Sequence, residues 1–100
     1  MILQEFFDEL FDTTYKDKRA LMITIDFIQN CWYVANNINF DPQKEYATNT
    51  IIEQHEIDIN WMKNINRETI ETFLENKYNE LYDKCDDLPV EPGSFDVFNN

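Results

Sequence analysis

The chain has 100 residues, 43% hydrophobic and 15% aromatic, with eight Phe but a single Gly and three Pro. That is the length of one domain, with enough apolar material for a modest core and too little turn material for a sandwich or barrel of tight hairpins. Twenty acids against eight bases give a net charge of −12, which argues against direct binding of nucleic acid or anionic membrane and in favour of a basic partner.

Residues 2–11 pair Ile2/Leu3, Phe6/Phe7 and Leu10/Phe11 at a spacing of four, one apolar helical stripe. Glu5, Asp8, Glu9 and Asp12 fall on the opposite side. Thr13–Asp17 reads as a connection, with Asp17 as N-cap of a second helix from about Lys18 to Asn37. Leu21, Ile25, Ile28, Cys31, Trp32 and Ala35 form its apolar side, widened by Ile23, Phe27 and Val34. Met22, Asp26, Gln29, Asn30, Tyr33, Asn36 and Asn37 form its polar side.

Asp41-Pro42 is a helix-start signal. Beyond it the periodicity is mixed. Ile51, Ile52, His55, Ile59 and Met62 make a helical stripe, whereas Ile57, Ile59 and Trp61 alternate with Asp58 and Asn60 as a strand would. The reading favoured is a helix from roughly 49 to 63, with an irregular or separate turn at 42–48. Asn66 caps a last helix over about 67–85, whose Ile70, Phe73, Leu74, Tyr78, Leu81, Tyr82 and Cys85 keep the 3-4 spacing.

The expected fold is therefore all-α: a compact bundle of about four amphipathic helices in one domain over 1–88. An irregular tail over 89–100 follows, docked in part through Phe95, Val97 and Phe98. The alternative is an α+β fold with a short strand near 55–61.

Little in the chain is catalytic in pattern. His55 is the only histidine and falls on an apolar stripe, the place of a packed or half-exposed residue; Ser94 is the only serine; Gly93 is alone, so no phosphate cradle is built. One His and two distant Cys give no zinc spacing, and no EF-hand order occurs. Cys31 and Cys85 read as thiols, Cys31 as core. The expectation is a non-enzyme without cofactor, metal or catalytic residue. MILQEFFDELFD does not read as a signal peptide, and no apolar run spans a membrane, so the default is a cytoplasmic protein.

What remains is an acidic surface. On the last helix Glu68, Glu71, Glu75, Asp83 and Asp86 gather opposite the apolar stripe, with Asp87 beyond and Tyr78 and Tyr82 on the border. Solvation alone would account for part of this. Yet like charges at i,i+3 and i,i+4 repel by a few tenths of a kcal/mol per pair, and the first helix repeats the pattern. Tyrosine among carboxylates suits a protein-binding surface for a cationic partner.

In general character, without a matched motif, such a chain resembles the small acidic helical immunity proteins of bacteriocin and contact-dependent inhibition systems. That resemblance implies an immunity or antitoxin role against a basic toxin domain such as a nuclease. Two alternatives stand beside it. One is a phage-type nucleic-acid mimic that blocks a host DNA-binding protein, for which long ordered carboxylate rows are needed. The other is a structural or adaptor homodimer, for which a Met22/Tyr33 patch would speak.

Overall fold

The computed structural model describes residues 1–11 and 17–86. Four α-helices follow in order: α1 (Leu3–Leu10), α2 (Lys18–Ala35), α3 (Pro42–Gln54) and α4 (Arg67–Leu81). Short 3-10 helices lie at Asn60–Asn64 and Tyr82–Lys84. The fold is all-α, and among the described residues the only β feature is an isolated parallel bridge between Asp17 and Asp86. The expected tail contacts of Phe95, Val97 and Phe98 lie outside the described residues, as do Asp12 and Asp87.

The predicted caps form. Asp17 accepts from the Arg19 N–H at 2.7 Å, Asp41 from the Gln43 N–H at 2.9 Å with Pro42 as the first helical residue, and Asn66 from the Thr69 N–H at 2.7 Å. Each satisfies a backbone donor that has no partner inside its helix.

The C-terminal ends of α2 and α3 share one solution. Asn37 (φ 55°) and Glu56 (φ 50°) take the left-handed conformation that glycine usually occupies. After α2 the Ile38 N–H donates to Tyr33 O at 2.9 Å and the Asn37 N–H to Val34 O at 3.2 Å. After α3 the Ile57 N–H donates to Ile52 O at 3.0 Å and the Glu56 N–H to Glu53 O at 3.3 Å. Both are Schellman motifs, and in each the partly buried isoleucine just past the end joins the core cluster.

This second motif corrects the expected helix over 49–63. Asp41 and Pro42 start the helix earlier, at Pro42, and the left-handed Glu56 stops it at Gln54. His55, placed by periodicity on the buried stripe, is instead the exposed residue at the helix end. The alternation in 57–61 is real, but it is not a strand. Ile57, Ile59 and Trp61 point into the core cluster while Asp58 and Asn60 are exposed. An irregular stretch leads into the 3-10 helix, where Asp58 Oδ1 accepts from the Asn60 N–H at 3.0 Å. Similarly, the last helix ends at Leu81 rather than 85, and a 3-10 turn carries the chain to Cys85.

The core is built around α2, on which α1, α3, α4 and the Asn60–Asn64 turn all pack. Phe7, Leu21, Ile28, Cys31, Met62 and Ile70 are its largest fully buried side chains. The Trp32 indole N–H donates to Ile65 O at 2.8 Å and holds the approach to α4 against α2. On the far side α2 also buries polar residues: Asn30, expected on its exposed face, is 6% exposed, and Thr48 of α3 only 3%. Asn30 Nδ2 donates to Asp26 Oδ2 at 3.2 Å, and Asp26 pairs with Lys44 at 3.5 Å. The α2–α3 side of the bundle thus has polar members, which the single-stripe reading of α2 did not anticipate.

A non-glycine residue in the left-handed region costs about 1–2 kcal/mol, part of which glycine recovers against its larger unfolded-state entropy. Glu56→Gly is expected to raise unfolding stability by about 0.5–1 kcal/mol, read from urea midpoints. A loss of stability would show that the Glu56 side chain supports the turn.

Candidate functional site

Of the candidate acids, Glu5, Asp8, Glu9, Glu68, Glu71, Glu75, Asp83 and Asp86 are all exposed. Three of them line separate concavities. Glu9 of α1 lies in a cleft with Phe6, Trp61, Glu56 and Asp58. Glu68 belongs to a groove with Asn66, Thr72 and Phe73. Glu75 belongs to a third concavity, between α4 and α2, with Tyr78 and Met22. The three share no lining residue. Asp83 sits in the 3-10 turn after α4 and Asp86 on the bridge to Asp17, so neither extends the α4 row.

The two tyrosines divide their duties. Their rings stack with centroids 4.9 Å apart and planes at 28°. Tyr82 is half-buried, with Lys18 Nζ over its ring at 4.8 Å, so it fastens the end of α4 to the start of α2. Tyr78 is 38% exposed and opens onto the α2–α4 groove.

The bases explain why the acids stand out. Lys77 lies in the α4 row, yet only 12% of its side chain is exposed. Its ammonium lies 5.4 Å from the Phe7 ring and 5.6 Å from the Phe73 ring, and 3.7 Å from Glu80. Such contacts are worth roughly 0.5–2 kcal/mol and place the charge against the core edge. Arg67 lies 5.6 Å over the Tyr33 ring and bonds Glu71 at 3.3 Å; that hydrogen bond, with the Tyr33 and Glu71 charges, holds the guanidinium above its ordinary value. With Lys18 on Tyr82 and Lys44 on Asp26, four bases are engaged by the protein's own rings and carboxylates. Glu71 is therefore partly neutralised. Among the described residues, Glu5, Glu9, Glu68, Glu75 and Asp83 make no ion pair, while Asp8 accepts from Gln4 Nε2 at 2.8 Å.

The α2–α4 groove joins Glu75 and Tyr78, candidates from the sequence, to α2 residues that the sequence did not place beside them. Met22, Ile25, Asp26 and Gln29 follow the helical 3-4 spacing along α2 and face Leu74, Glu75 and Tyr78 of α4. Its volume is about 310 Å³, and Met22 is 41% exposed in it. Gln29 Nε2 is buried without a hydrogen-bond acceptor among the described residues. By contrast, the Met22/Tyr33 patch does not form. Tyr33 is half-buried, with Phe40 at 5.2 Å between centroids and Arg67 over its ring.

Cys31 and Cys85 are both buried thiols. Burial pushes the Cys31 thiol from its ordinary 9.0 up to about 12, the opposite of the depressed value that activates a nucleophilic cysteine. Among the described residues, no three His, Cys, Asp or Glu side chains are arranged to hold a metal ion. No described helix is long and apolar enough to cross a membrane. No protein-family model, curated protein or solved structure matches the chain.

The Cys31 environment has a pH signature. Between about 9 and about 12 the unfolded thiol sheds a proton that the folded one keeps. The contribution of the folded state is therefore complete below about pH 9 and is lost as pH rises through that window. Wild-type urea midpoints are expected to fall more steeply above pH 9.0 than those of Cys31→Ala. Equal slopes would place the thiol in contact with water.

Proposed function

We propose that this chain is a small acidic protein-binding inhibitor of the immunity or antitoxin kind, which binds and neutralises a basic toxin domain such as a nuclease. One observation carries the reading: half of the few bases are engaged by the protein's own rings and acids, while Glu5, Glu9, Glu68, Glu75 and Asp83 face solvent with no ion pair among the described residues. Lys77 lies against the Phe7 and Phe73 rings with only 12% of its side chain exposed, Lys18 lies over Tyr82, and Lys44 and Arg67 pair with Asp26 and Glu71 at the surface, so the net charge of −12 is carried by the remaining exposed acids.

A field of that sign speeds encounter with a cationic protein and repels nucleic acid, the competitor for a nuclease surface. Carboxylates alone give an interaction that salt screens over about 8–10 Å. Tyr78, partly exposed beside Glu75, supplies an aromatic anchor of the type found at interface hot spots. The distribution of the acids over three concavities, with an apolar groove among them, suits a partner of irregular protein shape better than the regular phosphate spacing a duplex mimic copies. A cytoplasmic site of action fits a target that is itself intracellular.

The direct test is inhibition. A basic nuclease captured by the chain from its host lysate should lose activity at an equimolar ratio of the two proteins. Persistence of full nuclease activity in the saturated complex would overturn the inhibitor reading. On the binding side, Glu68→Lys with Glu75→Lys is expected to slow association about tenfold at low salt. Tyr78→Ala is expected to speed dissociation by more than tenfold, a loss of about 2 kcal/mol. Stopped-flow association and calorimetry read these, with circular dichroism confirming that the variants stay folded.

A further inference from the structure

We infer that the α2–α4 groove is the anchor pocket of the interface, and that it takes a basic amphipathic segment of the partner, an apolar side chain flanked by Lys or Arg. The inference rests on the binding role proposed above and gives it a site and an occupant chemistry.

The groove is lined mainly by apolar side chains, Met22 and Ile25 of α2 and Leu74 and Tyr78 of α4, with Asp26 on the α2 side, Glu75 on the α4 side and no Lys or Arg among the lining residues. Glu75 makes no ion pair among the described residues, whereas Asp26 shares Lys44 at 3.5 Å. An apolar side chain alone would cover Met22 and Tyr78 and leave Glu75 unanswered; a cation alone would answer Glu75 and leave exposed Met22 and Tyr78 in water. A segment carrying both satisfies both. A second copy of this chain fits poorly, because each copy brings the same charge of −12 to the contact.

Gln29 is among the lining residues, but its Nε2 is closed to solvent and lacks an acceptor among the described residues, so it packs beneath the groove surface and the occupant is argued from the apolar and acidic side chains alone.

The experiment separates this site from the general acidic reading. A synthetic Leu/Lys amphipathic peptide, an oligolysine of equal charge and a Leu/Glu peptide are titrated against the isotope-labelled chain, followed by the Met22 methyl and Gln29 side-chain amide resonances. The Leu/Lys peptide is expected to shift both and to bind at least about tenfold tighter than oligolysine, with the Leu/Glu peptide silent. Met22→Ala is expected to weaken the Leu/Lys peptide severalfold and leave oligolysine unchanged; an unchanged Leu/Lys affinity overturns the groove as its site.

Equal binding of oligolysine and the Leu/Lys peptide, with the groove resonances unmoved, overturns the groove and leaves the acidic reading standing. Failure of both cationic peptides overturns both. Binding of the Leu/Glu peptide, or a dimer of the chain that buries Met22, also overturns the basic occupant.

Discussion

Everything in this fold is referred to α2. The other three helices and the Asn60–Asn64 turn pack on it, so eighteen residues must present different chemistry in several directions at once. Leu21, Ile28 and Cys31 are closed to solvent, and Trp32 reaches across to the carbonyl of Ile65. Asn30 and Asp26 turn another side toward Lys44 of α3. Short helices such as α1 are marginal alone in water; here α1 is held by Phe6 and Phe7, whose rings meet Trp61 at 5.5 Å and Phe73 at 6.2 Å. The core is thus a hub with spokes, and a defect in α2 would be felt by every element.

The same arrangement sets the electrostatics. A bundle this small has a limited interior, and its edges are sealed by long amphipathic side chains. Lys77 over Phe7 and Phe73, Lys18 over Tyr82 and Arg67 over Tyr33 are such seals. Each places a cation where an aromatic ring meets solvent, which leaves less positive charge to intersperse among the surface acids. Stability and surface charge are therefore not independent choices in this molecule. Lys77, which would moderate the acidic field of α4, instead closes the core edge, and the cost is self-repulsion among the remaining carboxylates.

Sequence patterning made the helices legible where one stripe faced one core. The 3-4 spacing of α1 and α4 and the caps Asp17, Asp41 and Asn66 all survive in the structure. It misplaced α3 because the stop signal there is a glutamate. With one Gly in the chain, helix ends that need a left-handed residue use Asn37 and Glu56, and Glu56 carries no mark of that role. Period-two alternation in Ile57, Ile59 and Trp61 correctly gave which side chains turn inward, but alternation reports inward and outward facing, not the presence of a partner strand. His55 moved from stripe to surface for the same reason: the helix that would have buried it ends one residue earlier.

The site was legible only as composition. A helical wheel sorts the residues of one helix, and by that sorting Glu68, Glu71, Glu75, Asp83 and Asp86 make a single acidic group. Which acids share a concavity is decided by the neighbour. Because α2 lies along one flank of α4, Glu75 and Tyr78 join Met22, Ile25 and Gln29, while Glu68 opens onto another groove and Asp83 leaves the row with the end of the helix. The α2 half of the groove keeps helical spacing, with Met22, Asp26 and Gln29 from the polar face read in the sequence and Ile25 from the apolar one. Its meaning appears only once α4 lies beside it. In the proposed interface Met22 and Tyr78 would meet the partner's apolar surface and Glu75 its positive charge, Asp26 being already paired with Lys44, and the two requirements together would be more selective than net charge alone.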